Sequence, residues 1–264
     1  MKKYSIIFFF ITIFFSNSLS KENSKKILEE KITSAISNIY HLQFNDAEQK
    51  IQNIISEYPL QPEGYFFYAM VTWWKIMLNK ENRQFDNEYF LRLEKSIEIC
   101  DKLLEKNKND IIAKFYKGGA FGYRGRLEVH RKYWFSAIRN GQKGLSLMKE
   151  AYENDKINSD IFLGIGLYLY YAEAIPEQYP IIRPLMWFVE SGNKRKGIEF
   201  LLQVKKNGKF SNIEAAYFLL QIYTNYEKNY EEGLKIAEEL FVKYPENKIF
   251  KNYYEECKKK LNKK

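Results

Sequence analysis

A short spacing pattern comes back five times along this chain, and it restricts the fold more than anything else in the sequence. A small residue is followed four positions on by an apolar one, and three further on by another. The small residues are Ala47, Ser96, Gly144, Gly197 and Gly233. Four on stand Ile51, Cys100, Met148, Leu201 and Ala237; three further stand Ile54, Leu103, Ala151, Val204 and Leu240. Positions i, i+4 and i+7 share one face of an α-helix. The small position on that face lets a second helix approach closely. The outer two copies, "FNDAEQKIQNIISEYP" (44–59) and "YEEGLKIAEELFVKYP" (230–245), match along their whole length and both end in Tyr-Pro.

An apolar, aromatic-rich segment precedes each copy: 35–40, 62–77, 113–123, 159–171 and 212–223. Pro62 stands where a helix start tolerates proline. Five helix pairs, A then B, follow from this alternation. The small residues are spaced by 49, 48, 53 and 36 positions, so the pairs are uneven. The extra length is expected between the A and B helices, in a polar loop at 79–89 and in an apolar, proline-bearing insertion at 174–191. A last amphipathic segment, 250–261, carries Phe250, Tyr254, Cys257 and Leu261 on one stripe and charge elsewhere. It reads as the helix that caps the array. Helices this short are marginal alone and must be held by stacking. The 21 Tyr and 20 Phe are therefore expected mainly in the core.

The B-helix pattern resembles that of the tetratricopeptide repeat (TPR), with Pro59 and Pro245 at the family's closing proline. The middle copies lack that proline, and Lys156 stands in its place after Gly144. The resemblance implies an all-α helical-repeat solenoid of about five pairs plus a C-terminal capping helix. A second resemblance lies within residues 110–225. Gly164 and Gly166 in an aromatic helix, the proline-rich link, Trp187–Phe188 and Gly192 through Gly197 are similar to the family of the fungal inclusion-body-clearance protein and tetratricopeptide repeat protein 39. Where that family often has Gly-Asp-Arg, this chain has Asn193-Lys194-Arg195. The second resemblance implies a helical adaptor without known chemistry, often linked to an outer membrane, and carries no catalytic residue over.

Residues 1–20 read as a secretory signal peptide: Lys2 and Lys3, an apolar run over 6–15, then Ser18 and Ser20 at the positions a signal peptidase reads. Residues 21–264 are then the repeat domain, exported to the periplasm or the periplasmic face of the outer membrane. An uncleaved anchor is the alternative. The net charge is +9, mostly lysine spread along the chain, which marks a solvated surface rather than a nucleic-acid groove. The basic tail 257–264 allows peripheral membrane contact. Cys100 and Cys257 fall several helices apart, too far for the ~7 Å a disulfide spans, and are expected to be free and buried.

No catalytic or cofactor signature is present. His41 and His130 have no metal partner at ligand spacing, and no Walker loop or dinucleotide fingerprint occurs. "GLSLM" (144–148) ends in methionine and is not a nucleophile elbow. No enzyme, metal or cofactor is expected. What stands out is an arginine cluster. The chain has eight arginines against 34 lysines, and Arg124, Arg126, Arg131 and Arg139 fall together. Glu128 can pair with Arg131, and Tyr133 and Trp134 can stack on arginine. Asn140–Gly141 is a turn signal, so 124–143 reads as a separate helix or as the start of a long B helix. With Arg124, Arg126, Arg131, Tyr123 and Trp134 in the concave groove, guanidinium forks would grip an acidic group of a protein or peptide partner. The competing role for the arginines is structural. Two functions follow: an exported adaptor for a protein or peptide, or a carrier of an apolar or lipid ligand under the 174–191 insertion.

Overall fold

The structure is a computed structural model and describes residues 3–155 and 158–263. Lys2 of the expected signal peptide and Lys156 of the third repeat lie outside the described residues. Among those described it contains eleven α-helices, a 3-10 segment and a π turn, and no strand. Five antiparallel pairs follow one another: α1 (Lys3–Tyr40) with α2 (Phe44–Glu57), α3 (Pro62–Leu78) with α4 (Asp86–Lys106), and α5 (Ile111–His130) with α6 (Trp134–Asn154). α7 (Ile161–Gln178) pairs with α8 (Lys194–Asn207), and α9 (Asn212–Gln221) with α10 (Tyr230–Lys243). α11 (Lys248–Leu261) closes the array. The predicted all-α architecture and its pairing are present. α1 runs without a break past Ser20, and among the described residues no helix is long and apolar enough to cross a membrane.

All five small residues lie inside helices. Their role is close approach. A Cβ placed on Gly144 would sit 2.9 Å from the carbonyl oxygen of Gly118 on α5, and one on Gly197 would sit 2.7 Å from that of Gly166 on α7. The stripes they begin are buried: Ile51, Cys100, Ala151, Leu201, Val204, Ala237 and Leu240 are all fully enclosed. Cys100 and Cys257 are free and buried, as their spacing required. Burial pushes the Cys100 thiol up to about 12 and the Cys257 thiol up to about 11, so neither is a ready nucleophile.

The extra length is only partly where the sequence reading puts it. The link from Tyr179 to Asn193 does stand between α7 and α8, as expected. The rest lies within the helices: α4, α5 and α6 have 21, 20 and 21 residues against 14 in α2 and α10. The 79–89 loop is shorter than expected, because α4 begins at Asp86. Asn140–Gly141 is no turn. It lies in the middle of α6, where Asn140 is buried and donates from Nδ2 to Glu128 Oε2 at 2.7 Å. The connection is instead at Arg131–Tyr133, with Lys132 at φ 63°. Leu42 between α1 and α2, and Lys228 between the π turn and α10, repeat this left-handed residue. At the Leu42 and Lys132 sites the next amide closes a wide turn, Gln43 N to Asn38 O and Tyr133 N to Glu128 O. This is a Schellman stop with a non-glycine residue at its left-handed position.

The superhelix closes on itself. Asn247, which caps α11 by accepting from the Ile249 and Phe250 amides, donates from Nδ2 to the Tyr40 carbonyl at the end of α1, 2.8 Å away. Beneath that seam Trp74 packs on Tyr40, Tyr217 and Phe250, with ring centroids 5.2, 4.9 and 5.6 Å apart. The reason is in the A helices, which are apolar around most of their circumference. α3 buries 13 of its 17 residues and α9 buries nine of ten. A helix of that kind must be covered on most sides, so much of the inner face is packed against neighbouring helices.

Candidate functional site

The enclosed interior is not completely filled. A cavity of about 400 Å³ runs along the inner face of α5, walled by α3, α6, α7 and α9. Its lining is predominantly apolar. Seven of the chain's 13 glycines line it (Gly118, Gly119, Gly122, Gly125, Gly141, Gly144 and Gly164). At Gly122 and Gly141 the missing side chain leaves open space; at the other five it lets a neighbouring helix or side chain come close. The predicted 174–191 insertion forms part of its wall. Residues 174–178 complete α7, with Pro176 in its last turns, and Pro180–Phe188 is a 3-10 segment. Ile182, Met186 and Val189 line the cavity, while Ile181 and Trp187 are 82% and 87% exposed. The segment is held at one end by Tyr179 on Trp134, 5.1 Å between centroids.

The five predicted contact residues separate into two groups. Tyr123, Arg126 and Trp134 line the cavity. Arg126 lies over Phe218 and Trp73, 3.8 and 4.4 Å from the ring centroids, and donates from Nη2 to Gln221 Oε1 at 2.7 Å. Its carboxylate neighbour is Glu214 on α9, 3.5 Å away, to which Tyr40 also donates. The pair is incompletely satisfied: Arg126 Nη1 and Glu214 Oε1 have no hydrogen-bond partner. Burial pushes the Glu214 carboxyl up, and Arg126 offsets part of that.

Arg124 and Arg131 do not line the cavity. Arg131 does not pair with Glu128. Its side chain is 3% exposed and forks onto Asp86, Nε to Oδ2 at 2.7 Å and Nη2 to Oδ1 at 2.8 Å. Nη1 and Nη2 also donate to the carbonyls of Lys80 and Asn82, at 2.6 and 3.2 Å. The guanidinium is thus used to pin the α3–α4 connection against the end of α5. Arg124 bonds Glu94 at 2.6 Å and lies 3.7 Å from Glu128. Glu128 in turn accepts from Ser136 and Asn140. The rings that stack on the cluster's arginines are Trp73, Phe218 and Phe90 rather than Tyr133 and Trp134.

Sequence reading misses the partners. Asp86 lies in a polar stretch that reads as loop. Glu214 carries a signal: a lone carboxylate inside the apolar run 213–220 has to find a buried cation. Lys80 is missed as well. Arg131 and His130 both meet its carbonyl, and the residue lines the cavity.

No family model matches the chain, and no curated protein matches it. A solved structure does: a thermophilic TPR protein from Thermus thermophilus, 16% identical, aligned over 87% of this chain and 98% of that one with a TM-score of 0.50. The chain has a TPR-like helical-repeat fold. At that identity the match speaks for the fold alone, and the site has to be argued from its own geometry.

Proposed function

We propose that the protein is a binding protein without chemistry of its own, and that its ligand site is the hollow interior of the closed repeat array. The observation that carries this is the cavity itself: predominantly apolar, of a size typical for small-molecule sites at ~300–1,000 Å³, and covered by the Pro180–Phe188 segment. This favours a carrier of an apolar ligand over an adaptor that lays a peptide in an open groove, because the inner face is closed at the Tyr40–Asn247 seam. Organic extraction of the purified protein, followed by mass spectrometry, is expected to release an apolar small molecule. A protein that yields none, and that fails to enhance the fluorescence of an apolar dye, refutes the carrier.

The adaptor reading has its own support. Phe135, Ile181 and Trp187 are all largely exposed, and exposed side chains of this size mark contact surfaces. A protein or peptide partner would meet them on the outside, and the resemblance of residues 110–225 to the inclusion-body-clearance family points to such an adaptor. For location, the reading of residues 1–20 as a signal peptide places the protein in the periplasm or at the outer membrane. Mass spectrometry of the exported protein should show a new N-terminus near Lys21, and an intact Met1 in the cytosolic fraction would refute it.

A further inference from the structure

The interior is not uniformly apolar. One end of it is cationic. Lys80, Arg126, His130 and Lys132 all line the cavity where the α3–α4 connection meets the α5–α6 turn. Of these, Arg126 has a buried carboxylate beside it in Glu214. Lys80 does not. Among the described residues no ion pair reaches its Nζ. Its acidic neighbour Glu81 stands 93% exposed beside His130, 3.9 Å from that ring. Burial and the nearby Arg126 charge push the Lys80 ammonium down to about 8. A half-buried cation held next to a second cation is a costly arrangement that an anion would relieve. Lys80 is also held in place: Arg131 and His130 both meet its backbone carbonyl, and Arg131 is locked to Asp86.

The remainder of the cavity is predominantly apolar and extends along α5. Its lining on α5 runs from Phe115 to His130, ~22 Å at the helical rise. Spread over that length, about 400 Å³ is narrow, suited to one aliphatic chain rather than to a broad ring system. At the end away from Lys80 the walls are Met148, Gly164 and Phe115; nearer the cationic end they are Ala172, Ile175 and Met186.

We propose that the cavity binds a single-chain amphiphile with an anionic head, its tail along α5 and its head on Lys80 and Arg126. This rests on the reading of the interior as a ligand site and names the ligand class. It also gives the arginine cluster a division of labour: Arg126 faces the head, and Arg131 positions Lys80.

The test uses the full chain with cis-parinaric acid, whose fluorescence rises in an apolar site, and with the alcohol of the same chain. The acid is expected to bind more tightly than the alcohol. Lys80→Met should weaken the acid by at least ~tenfold, the scale of one charge-assisted hydrogen bond, leave the alcohol unchanged and not lower the melting temperature. Lys80→Arg should retain acid binding. Equal binding of acid and alcohol, with no effect of Lys80→Met, overturns the head assignment while the hollow interior stands. Binding of neither overturns both. Preferential uptake of a two-chain phosphatidylglycerol from vesicles overturns the single-chain assignment.

Discussion

The two sides of the interior are built differently: both carry rings, but only one is rich in glycine. On one side α1, α3, α9 and α11 meet in rings: Trp74 touches Tyr40, Tyr217 and Phe250, and Tyr244 packs on both Tyr40 and Phe250. On the other, α5, α6 and α7 present glycines. Both sides bring helices together, but they do different things with the interior. Rings fill it and seal the first repeat against the last. Glycines let backbones touch across a pair, Gly118 on Gly144 and Gly166 on Gly197, and at Gly122 and Gly141 leave space on the inner face. A repeat array can thus join its ends and still keep a chamber, provided that one wall sets glycines among its rings.

If that contrast is right, truncation should cost most on the ring side. Trp74 is 1% exposed at the meeting point of four helices, and Trp74→Ala is expected to cost ~3–5 kcal/mol. Met148, 4% exposed, is a smaller and more flexible side chain packed against the glycines Gly118, Gly119 and Gly164, so Met148→Ala should fall near the lower end of its class, ~2 kcal/mol. Urea denaturation of both variants checks this. Equal losses would mean that the glycine side holds Met148 as rigidly as the ring side holds Trp74, and that the two walls do not differ.

The arginines give the next comparison. Arg131→Ala leaves Asp86 without its fork, the Asn82 carbonyl without its donor and the Lys80 carbonyl with His130 alone, and is expected to cost ~3–5 kcal/mol. Arg124, about a third exposed and paired with an exposed glutamate, should cost ~1 kcal/mol or less on truncation. Thermal melting of the two variants separates them. Similar, small losses would show that Arg131 does not pin the α3–α4 connection.

How much of this was legible beforehand follows from the range of the interactions. The stripes beginning at Ala47 and Gly233 are local, one face of one helix, and the sequence shows them directly. Whether an arginine is structural depends on a carboxylate 45 residues away, as with Asp86 and Arg131, and no spacing rule reaches that far. The Asn140–Gly141 signal misled for a similar reason. A buried Glu128 twelve residues back takes the Asn140 amide and holds it in helix, so tertiary contact overrides turn propensity. Closure of the interior could have been anticipated from the A helices, since a segment such as 62–77 has no polar face to leave in water.

The ring side also contains a titratable fault. Glu63 in the first turn of α3 is buried, one of its oxygens has no partner, and burial pushes its carboxyl from the usual 4.5 up to about 7. In the unfolded chain it ionises near 4.5, so between there and about 7 the folded state holds the extra proton. Stability should therefore fall as pH rises through that window and level off above it, by about 3 kcal/mol in all. Urea midpoints at about pH 5 and about pH 8 measure the drop. Glu63→Gln should remove it and be the more stable protein at the higher pH. A variant that keeps the full drop would assign the pH dependence to another group.

The smallest expected effect bears most directly on the glycine wall, because it sets two positions of one helix against each other. Gly141 and Gly144 lie three residues apart on α6, and both line the cavity. A Cβ on Gly141 meets nothing within 4 Å, whereas one on Gly144 lies 2.9 Å from the Gly118 carbonyl and 3.2 Å from the Gly122 amide nitrogen. Both contacts are backbone of α5, so neither can swing aside. Alanine in a helix interior is favoured over glycine by ~1 kcal/mol when nothing obstructs it. Gly141→Ala should therefore raise stability by about that amount, or ~2–4 °C in melting temperature for a chain of this size. Gly144→Ala should lower stability by ~1–3 kcal/mol, because the same gain in propensity is outweighed by forcing α5 and α6 apart. The sign of the difference matters more than its size. If both substitutions stabilise, the glycines are not there for close approach, and the account of how this wall stays thin is wrong.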